Sequence, residues 1–301
     1  MTSAIRTEAL GKRFRRLEAL RGLNMDVPTG SVYALVGPNG AGKTTLIKIL
    51  MNILQASAGH ASVLGLPSTK IAGDAFRSIG YVSENQELPD WMRVDRFLRY
   101  VAAFYPKWDR ALEQDLMRQF DLPLNRRLKN LSRGMRMKAA LASALSFHPT
   151  LIVLDEPFSG LDPFVRDQLV ESLVERAAES TMLISSHDLG EIENFATHIG
   201  YLDQGKLKFS EELSSLTERF REVEVVREAA TALPAGTPST WLQLNEAAAV
   251  VRFIETRFDA GRTAEQVRNV FGSGVRDVSF TPMSLRSIFL AIAKSPGSAN
   301  S

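Results

Sequence analysis

Apolar positions along the chain follow two rhythms. Residues 31–37 (SVYALVG) form a short uncharged run closed by a glycine, the pattern of a buried strand. The stretch GAGKTTLIKILMNIL then places Leu46, Ile49, Leu50 and Ile53 three or four positions apart, which predicts a helix. Strand, glycine loop and helix therefore follow one another. Residues 79–83 (IGYVS), 151–154 (LIVL) and 182–185 (MLIS) repeat the strand signature. Short apolar strands separated by helical stretches predict a mainly parallel sheet covered by helices.

Between about 88 and 147 the strand pattern stops. Val94, Phe97, Leu98 and Val101 share one helical face; Leu112, Leu116 and Phe120 share a second, and Leu141 and Leu145 continue a third. This predicts a helical insertion, about 85–147, inside the α/β core. Past 205 the pattern changes again. VEVV (223–226), the loop LPAGTPST, an amphipathic stretch around 246–258 and VRDVSF (275–280) predict a small α+β appendage. The closing SPGSANS has the composition of a disordered end. The expected organisation is a core domain over 1–215 and an accessory domain over 216–301.

Composition narrows the function classes. The 301 residues carry a net charge of only +2, too little to imply a nucleic-acid partner, and no nucleic acid is expected. The basic cluster Lys12-Arg13-Phe14-Arg15-Arg16 reads as a solvated turn between strands. There is no cysteine, so disulfides and thiolate metal sites are excluded. Four scattered histidines have no metal-ligand spacing. The N-terminal MTSAIRTEAL lacks the apolar stretch of a secretory signal, and no uncharged apolar run reaches membrane-spanning length.

Gly37-Pro-Asn-Gly-Ala-Gly42-Lys43-Thr44 fits G-x-x-x-x-G-K-[ST]. Glycines let the backbone curl so that successive N–H groups point at phosphates; Lys43 then reaches the β- and γ-phosphates, and the Thr44 hydroxyl ligates Mg²⁺. A strand before the motif and a helix after it strengthen the assignment. LIVLDEP (151–157) is an apolar strand ending in two carboxylates. Beside a phosphate loop, Asp155 is placed to ligate Mg²⁺ and Glu156 to orient and deprotonate a water. MLISSHD sets His187 just after another predicted strand, as an imidazole donor toward the γ-phosphate.

In this order the motifs resemble the nucleotide-binding subunit of ATP-binding cassette (ABC) transporters, over about residues 4–215. The resemblance takes in the phosphate loop, LSRGM (131–135) in place of the family's LSGGQ signature, LDEP, SGLD (159–162) and SSHD (185–188). FYPKWD, LSRGM and DEPFSGLDP are similar in more detail to the bacterial ABC-2-type subfamily, Ytr-like ATPases included, which more often exports than imports. The resemblance implies an α/β P-loop NTPase fold (the ABC ATPase core) with the helical insertion and the α+β appendage. It implies ATP and Mg²⁺ as cofactors, a second ATPase subunit, and a transmembrane permease that the insertion docks on at the cytoplasmic face of the membrane. Two chains would pack head to tail around two MgATP. Ser132 and Gly134, at a helix start, would face the γ-phosphate held by the partner's phosphate loop.

Further positions are implied by the same resemblance. Pro38, Asn39, Gly40, Ala41 and Thr45 complete the phosphate loop, Phe14 stacks on adenine, and Asp162 crosses the dimer interface. Two motifs depart from the family's pattern. Arg133 and Met135 alter the signature; the arginine serves either phosphate attraction or pairing with the partner subunit. Glu84 stands where the family usually has glutamine near the metal, with Gln86 two residues on, so a metal contact from Glu84 is an expectation. The rival reading is a soluble ABC ATPase acting on ribosomes or DNA. The translation factors of that kind carry two cassettes, however, and the repair enzymes separate their motif halves by long coiled coils.

Overall fold

The computed structural model describes residues 2–228 and 236–293. The closing SPGSANS, expected to be disordered, lies outside the described residues, as does the start of LPAGTPST. The chain divides into two compact units, residues 1–210 and 211–301.

The first unit opens with a hairpin of β1 (Ser3–Phe14) and β2 (Leu17–Pro28). Its tip is the basic cluster, where Arg15 takes a left-handed conformation and Arg16 is exposed, as expected of a solvated turn. There follow β3 (Val32–Val36), α1 (Lys43–Leu50), β4 (Ala58–Val63), β5 (Leu66–Pro67) and β6 (Ile79–Val82). Three helices then run in succession: α2 (Val94–Ala102), α3 (Arg110–Gln119) and α4 (Arg133–Leu145). The chain closes its sheet with β7 (Leu151–Asp155), α5 (Pro163–Val174), β8 (Thr181–Ser186), β9 (His198–Asp203) and β10 (Lys206–Glu212).

A six-stranded sheet carries the unit, in the order β10-β9-β3-β8-β7-β6, and β9, β3, β8, β7 and β6 pair in parallel. Every residue of β3, β7 and β8 is buried, which is why their centres (32–36, 151–154 and 182–184) read as apolar runs rather than alternating ones. Register decides function here. Val36 lies opposite Ser186, and Asp155 opposite Ser185, so β3, β7 and β8 end at one level. The loops that leave those ends carry Gly37, Glu156 and His187 to a single rim, the usual ligand face of an open parallel sheet.

A second, antiparallel sheet, β2-β1-β4-β5, is a departure from the expected pattern. Its strands were hidden because β1 changes register with β2 between Thr7 and Leu10, again after Leu10, and again after Lys12, with Ala9 in a left-handed conformation. Bulges of this kind break the two-residue alternation. The first helix is also shorter than its apolar spacing predicts. It stops at Leu50, Asn52 turns left-handed, and Ile53 is exposed.

The second unit holds α6 (Leu213–Arg219), β11 (Arg221–Arg227), β12 (Trp241–Ala247), β13 (Val250–Glu255), α7 (Ala260–Phe271), β14 (Val275–Pro282) and α8 (Leu285–Ala293). Its strands form one antiparallel sheet, β12-β13-β11-β14. The amphipathic stretch around 246–258 is the turn and second strand of a hairpin; the helix begins beyond it. Val223, Val225, Trp241, Val251, Phe253 and Val267 make the core, and the Trp241 ring stacks on Phe253 with centroids 3.9 Å apart. Trp241 Nε1 also donates to the buried Glu255 carboxylate at 2.9 Å. Trp241→Ala therefore removes packing and leaves a buried charge short of a donor. It is expected to cost about 3–5 kcal/mol, and limited proteolysis should then cut within residues 211–293 before it touches the first unit.

Candidate active site

The loop after β3 is shaped by close contacts that only glycine permits. A Cβ on Gly37 would sit 2.0 Å from the Leu202 carbonyl oxygen, and one on Gly42 would sit 2.7 Å from that of Ala19. Gly42 also needs φ of 113°, outside the range of side-chain-bearing residues. The loop therefore passes tightly against the backbone at Ala19 and Leu202 before α1 begins.

Lys43, the first residue of α1, is buried and folded back over that loop. Its ammonium donates to the carbonyls of Gly37 at 2.5 Å and Pro38 at 3.3 Å. It also lies 3.0 Å from Glu156 Oε1. Glu156 itself adopts a left-handed backbone, φ 50°, and is only 6% exposed. A charged, non-glycine residue in that conformation is held by its surroundings. Its N–H donates to Ser185 Oγ at 2.9 Å, and its Oε2 meets His187 Nδ1 at 2.7 Å. Oε1 has no aligned hydrogen-bond donor; the nearby Lys43 supplies charge alone. The Glu156 contact is the chief reason the His187 imidazole is held above its ordinary pKa.

Asp155 ends β7 fully buried. Burial pushes its pKa up, and hydrogen bonds from Ser185 Oγ at 2.7 Å and Thr44 Oγ1 at 3.2 Å partly oppose that rise. Thr44 and Asp155 thus present one hydroxyl and one carboxylate side by side. Among the described residues no cluster of three or more His, Cys, Asp or Glu could hold a metal. A single carboxylate beside a hydroxyl suits Mg²⁺, which takes few protein ligands and completes its shell with phosphate and water. The glycine cradle and the undonated Glu156 oxygen fit a polyphosphate with its cation.

Gly42, Lys43, Thr44 and Glu156 line one cleft of about 630 Å³, which Asn39, Gly40, Ala41, Thr45 and Glu84 share with Phe14 at the hairpin tip; Gly37, Pro38, Asp155 and His187 are not among its lining residues. Phe14 is exposed, with Lys12 Nζ 4.9 Å from its ring centroid. Glu84 lines the cleft, but its carboxylate faces Arg133, with Nη2 at 3.7 Å from Oε1. The Gln86 carbonyl is taken by Ser83, which donates its N–H at 3.1 Å and its hydroxyl at 3.2 Å.

Ser132, Gly134 and Asp162 are not among the residues lining this cleft. Ser132 is the exposed N-cap of α4 and accepts from the Met135 N–H at 3.2 Å. Asp162 caps α5 through the Val165 N–H at 3.0 Å. The two helix starts pack together, since a Cβ on Gly134 would lie 3.1 Å from Val165 Cγ1. Sequence reasoning missed Ser185, which binds both the Asp155 side chain and the Glu156 backbone. A serine in an otherwise apolar buried strand, next to the strand that bears the carboxylates, was the available sign.

Residues 20–159 match the family model described as ABC transporter. An uncharacterised ABC transporter ATP-binding protein of Nostoc is 34% identical over 231 residues, covering 71% of this chain and 68% of that protein. The Nod factor export ATP-binding protein I of Neorhizobium galegae is 34% identical over 212 residues, covering 68% of this chain and 61% of that protein. The aligned part thus spans roughly two thirds of these relatives' own length. A solved structure of an ATP-binding subunit of an ABC transporter superposes with a TM-score of 0.65 at 27% identity, covering 72% of this chain and 92% of that one. With the glycine cradle, the paired carboxylates and the parallel sheet that aligns them, these likenesses establish that the chain belongs to the ABC transporter family of ATP-binding proteins.

Proposed function

We propose that this chain is the ATP-hydrolysing subunit of an ABC exporter of the ABC-2-type, Ytr-like kind. It works at the cytoplasmic face of the membrane as one half of a head-to-tail dimer and drives a separate transmembrane permease. The observation that carries the reading is the Glu156 carboxylate, buried between Lys43 and His187 at the mouth of the glycine cradle, with one oxygen free of donors.

The 37–45 loop and Lys43 hold the phosphates of ATP, and Phe14 stacks on its base. Thr44 and Asp155 hold Mg²⁺, which when bound offsets the charge of the phosphates. Glu156 Oε1 takes the proton of the attacking water, and His187 keeps the carboxylate aimed. Lys43 and His187 stabilise charge on the transferred phosphoryl group. Ser132, Gly134 and Asp162 serve the partner's nucleotide from the starts of α4 and α5. Exposed Trp91, Tyr100 and Phe104, in and around α2, offer apolar surface for the permease. Relatives named for export favour that direction.

Glu156→Gln removes the base and keeps the shape. ATP binding should persist while phosphate release falls by roughly 10²–10⁴-fold. Unchanged turnover would falsify the assignment.

The shared-site geometry is tested by mixing. Ser132→Arg blocks the site completed by the partner, and Lys43→Ala blocks the chain's own. A mixed dimer contains one site with both lesions and one with neither, so part of the wild-type activity should return. Heterodimers that form and stay as inactive as either parent would rule out the head-to-tail arrangement.

The His187–Glu156 contact sets a pH dependence. A histidine pKa raised in the folded state stabilises below the ordinary histidine value, and the contribution fades as pH rises through the raised one. An NMR titration should place the His187 midpoint above the ordinary value, and Glu156→Gln should bring it down. A midpoint indifferent to that substitution would remove the contact from solution.

A further inference from the structure

Arg133 is the first residue of α4, and its guanidinium touches two other segments of its own chain. Nη2 lies 3.7 Å from Glu84 Oε1, and Glu84 lines the cleft with Lys43, Thr44 and Glu156. The same group lies flat on Gly160. A Cβ there would be 2.8 Å from Nη1, 3.2 Å from Cζ and 3.7 Å from Nε. Gly160 has φ of 67° and stands in the turn that leads from Glu156 to the α5 cap, Asp162.

The charges explain why an arginine is useful there. Glu18, Glu84 and Glu156 bring three carboxylates to the cleft, and of its basic groups Lys43 is buried against Glu156. Glu18 pairs with Arg21 three residues on, and Glu84 meets Arg133 alone among the described ion pairs. An ion pair this exposed adds little to folding stability. Its effect is on the field at the cleft mouth, because a carboxylate that close to a polyphosphate repels it unless a cation stands beside it. Two of the three positions where this chain departs from the pattern it resembles, Glu84 and Arg133, meet here; the third, Met135, stands two residues further along α4.

We propose that Arg133 is a positioning residue for the chain's own nucleotide cleft: it neutralises Glu84 and ties the Glu84 segment and the Gly160 turn to the first turn of α4. The proposal rests on the reading of that cleft as an ATP site. Arg133 thereby links the two faces of one subunit, the cleft that takes its own nucleotide and the helix start offered to the partner.

Four proteins test it by calorimetric titration with ATP and Mg²⁺: wild type, Arg133→Gln, Glu84→Gln and the double variant. Glutamine removes the charge while keeping an unbranched polar side chain of similar helix propensity at 133, and circular dichroism checks the fold. Arg133→Gln should weaken binding about three- to tenfold at low salt, and the loss should shrink at high salt as the repulsion is screened. Glu84→Gln alone should bind at least as tightly as wild type. The double variant should return to within about twofold of wild type, since the charge needing compensation is gone. In nucleotide-free protein, hydrogen exchange should rise at residues 83–84 and 159–162 together when Arg133 is lost. If the double variant stays as weak as Arg133→Gln, the guanidinium acts on something other than Glu84, a partner-held phosphate included, and the proposal is overturned. If wild type binds no ATP, the reading of the cleft fails and the proposal falls with it.

Discussion

A carboxylate buried on a strained backbone must be surrounded by groups that favour its charge, and Glu156 dictates the arrangement around it. Left without partners, a buried charge costs several kcal/mol. Two segments distant in sequence answer that demand. Lys43 comes from the start of α1, and the end of β8 supplies both Ser185, which accepts the Glu156 N–H, and His187 just beyond the strand. None of the three could reach Glu156 unless β3, β7 and β8 ended at the same level. The parallel register is therefore the scaffold for one ion pair and one imidazole contact, and the glycines of the 37–42 turn exist to let α1 begin close enough to join them.

Much of this was legible because the central strands are buried on both faces. Full burial makes residues 151–154 and 182–184 uninterrupted apolar runs, and a carboxylate or histidine soon after such a run stands out. The antiparallel sheet was illegible for the opposite reason. It is half solvated and bulged at Ala9, so its alternation slips out of phase within a few residues. The stretch around 246–258 was legible only as amphipathic: a hairpin with Ala248 left-handed at its turn mixes two phases. At the site, motif spacing picked out the residues that bear charge. It could not pick out Ser185, whose value lies in hydrogen bonds to two neighbours, nor pair Arg133 with Glu84, which lie 49 positions apart and meet only once α4 is folded.

The first turns of α4 and α5 show the same economy of placement. Gly134 allows α4 to press on Val165, Ser132 and Asp162 cap the two helices, and Arg133 lies across the turn at Gly160. Each contact is modest; together they fix the two helix starts relative to the loop that carries Glu156. A shift of that loop is then felt at the helix starts without a long relay, because only Ser159–Leu161 separate Phe158 of the buried core from the α5 cap.

Preorganisation is the consequence that bears most on the proposed chemistry. Lys43 and Glu156 are 5% and 6% exposed, so the work of removing both charges from water is already done by folding. The Lys43 ammonium rests on two backbone carbonyls, which orient it without neutralising it. A phosphate that displaces those carbonyls meets a cation already stripped of solvent, and the exchange strengthens its attraction in a poorly screened site. The Thr44–Asp155 pair behaves differently. It offers one carboxylate and one hydroxyl, so in the proposed reading a hard cation would take most of its ligands from phosphates and water.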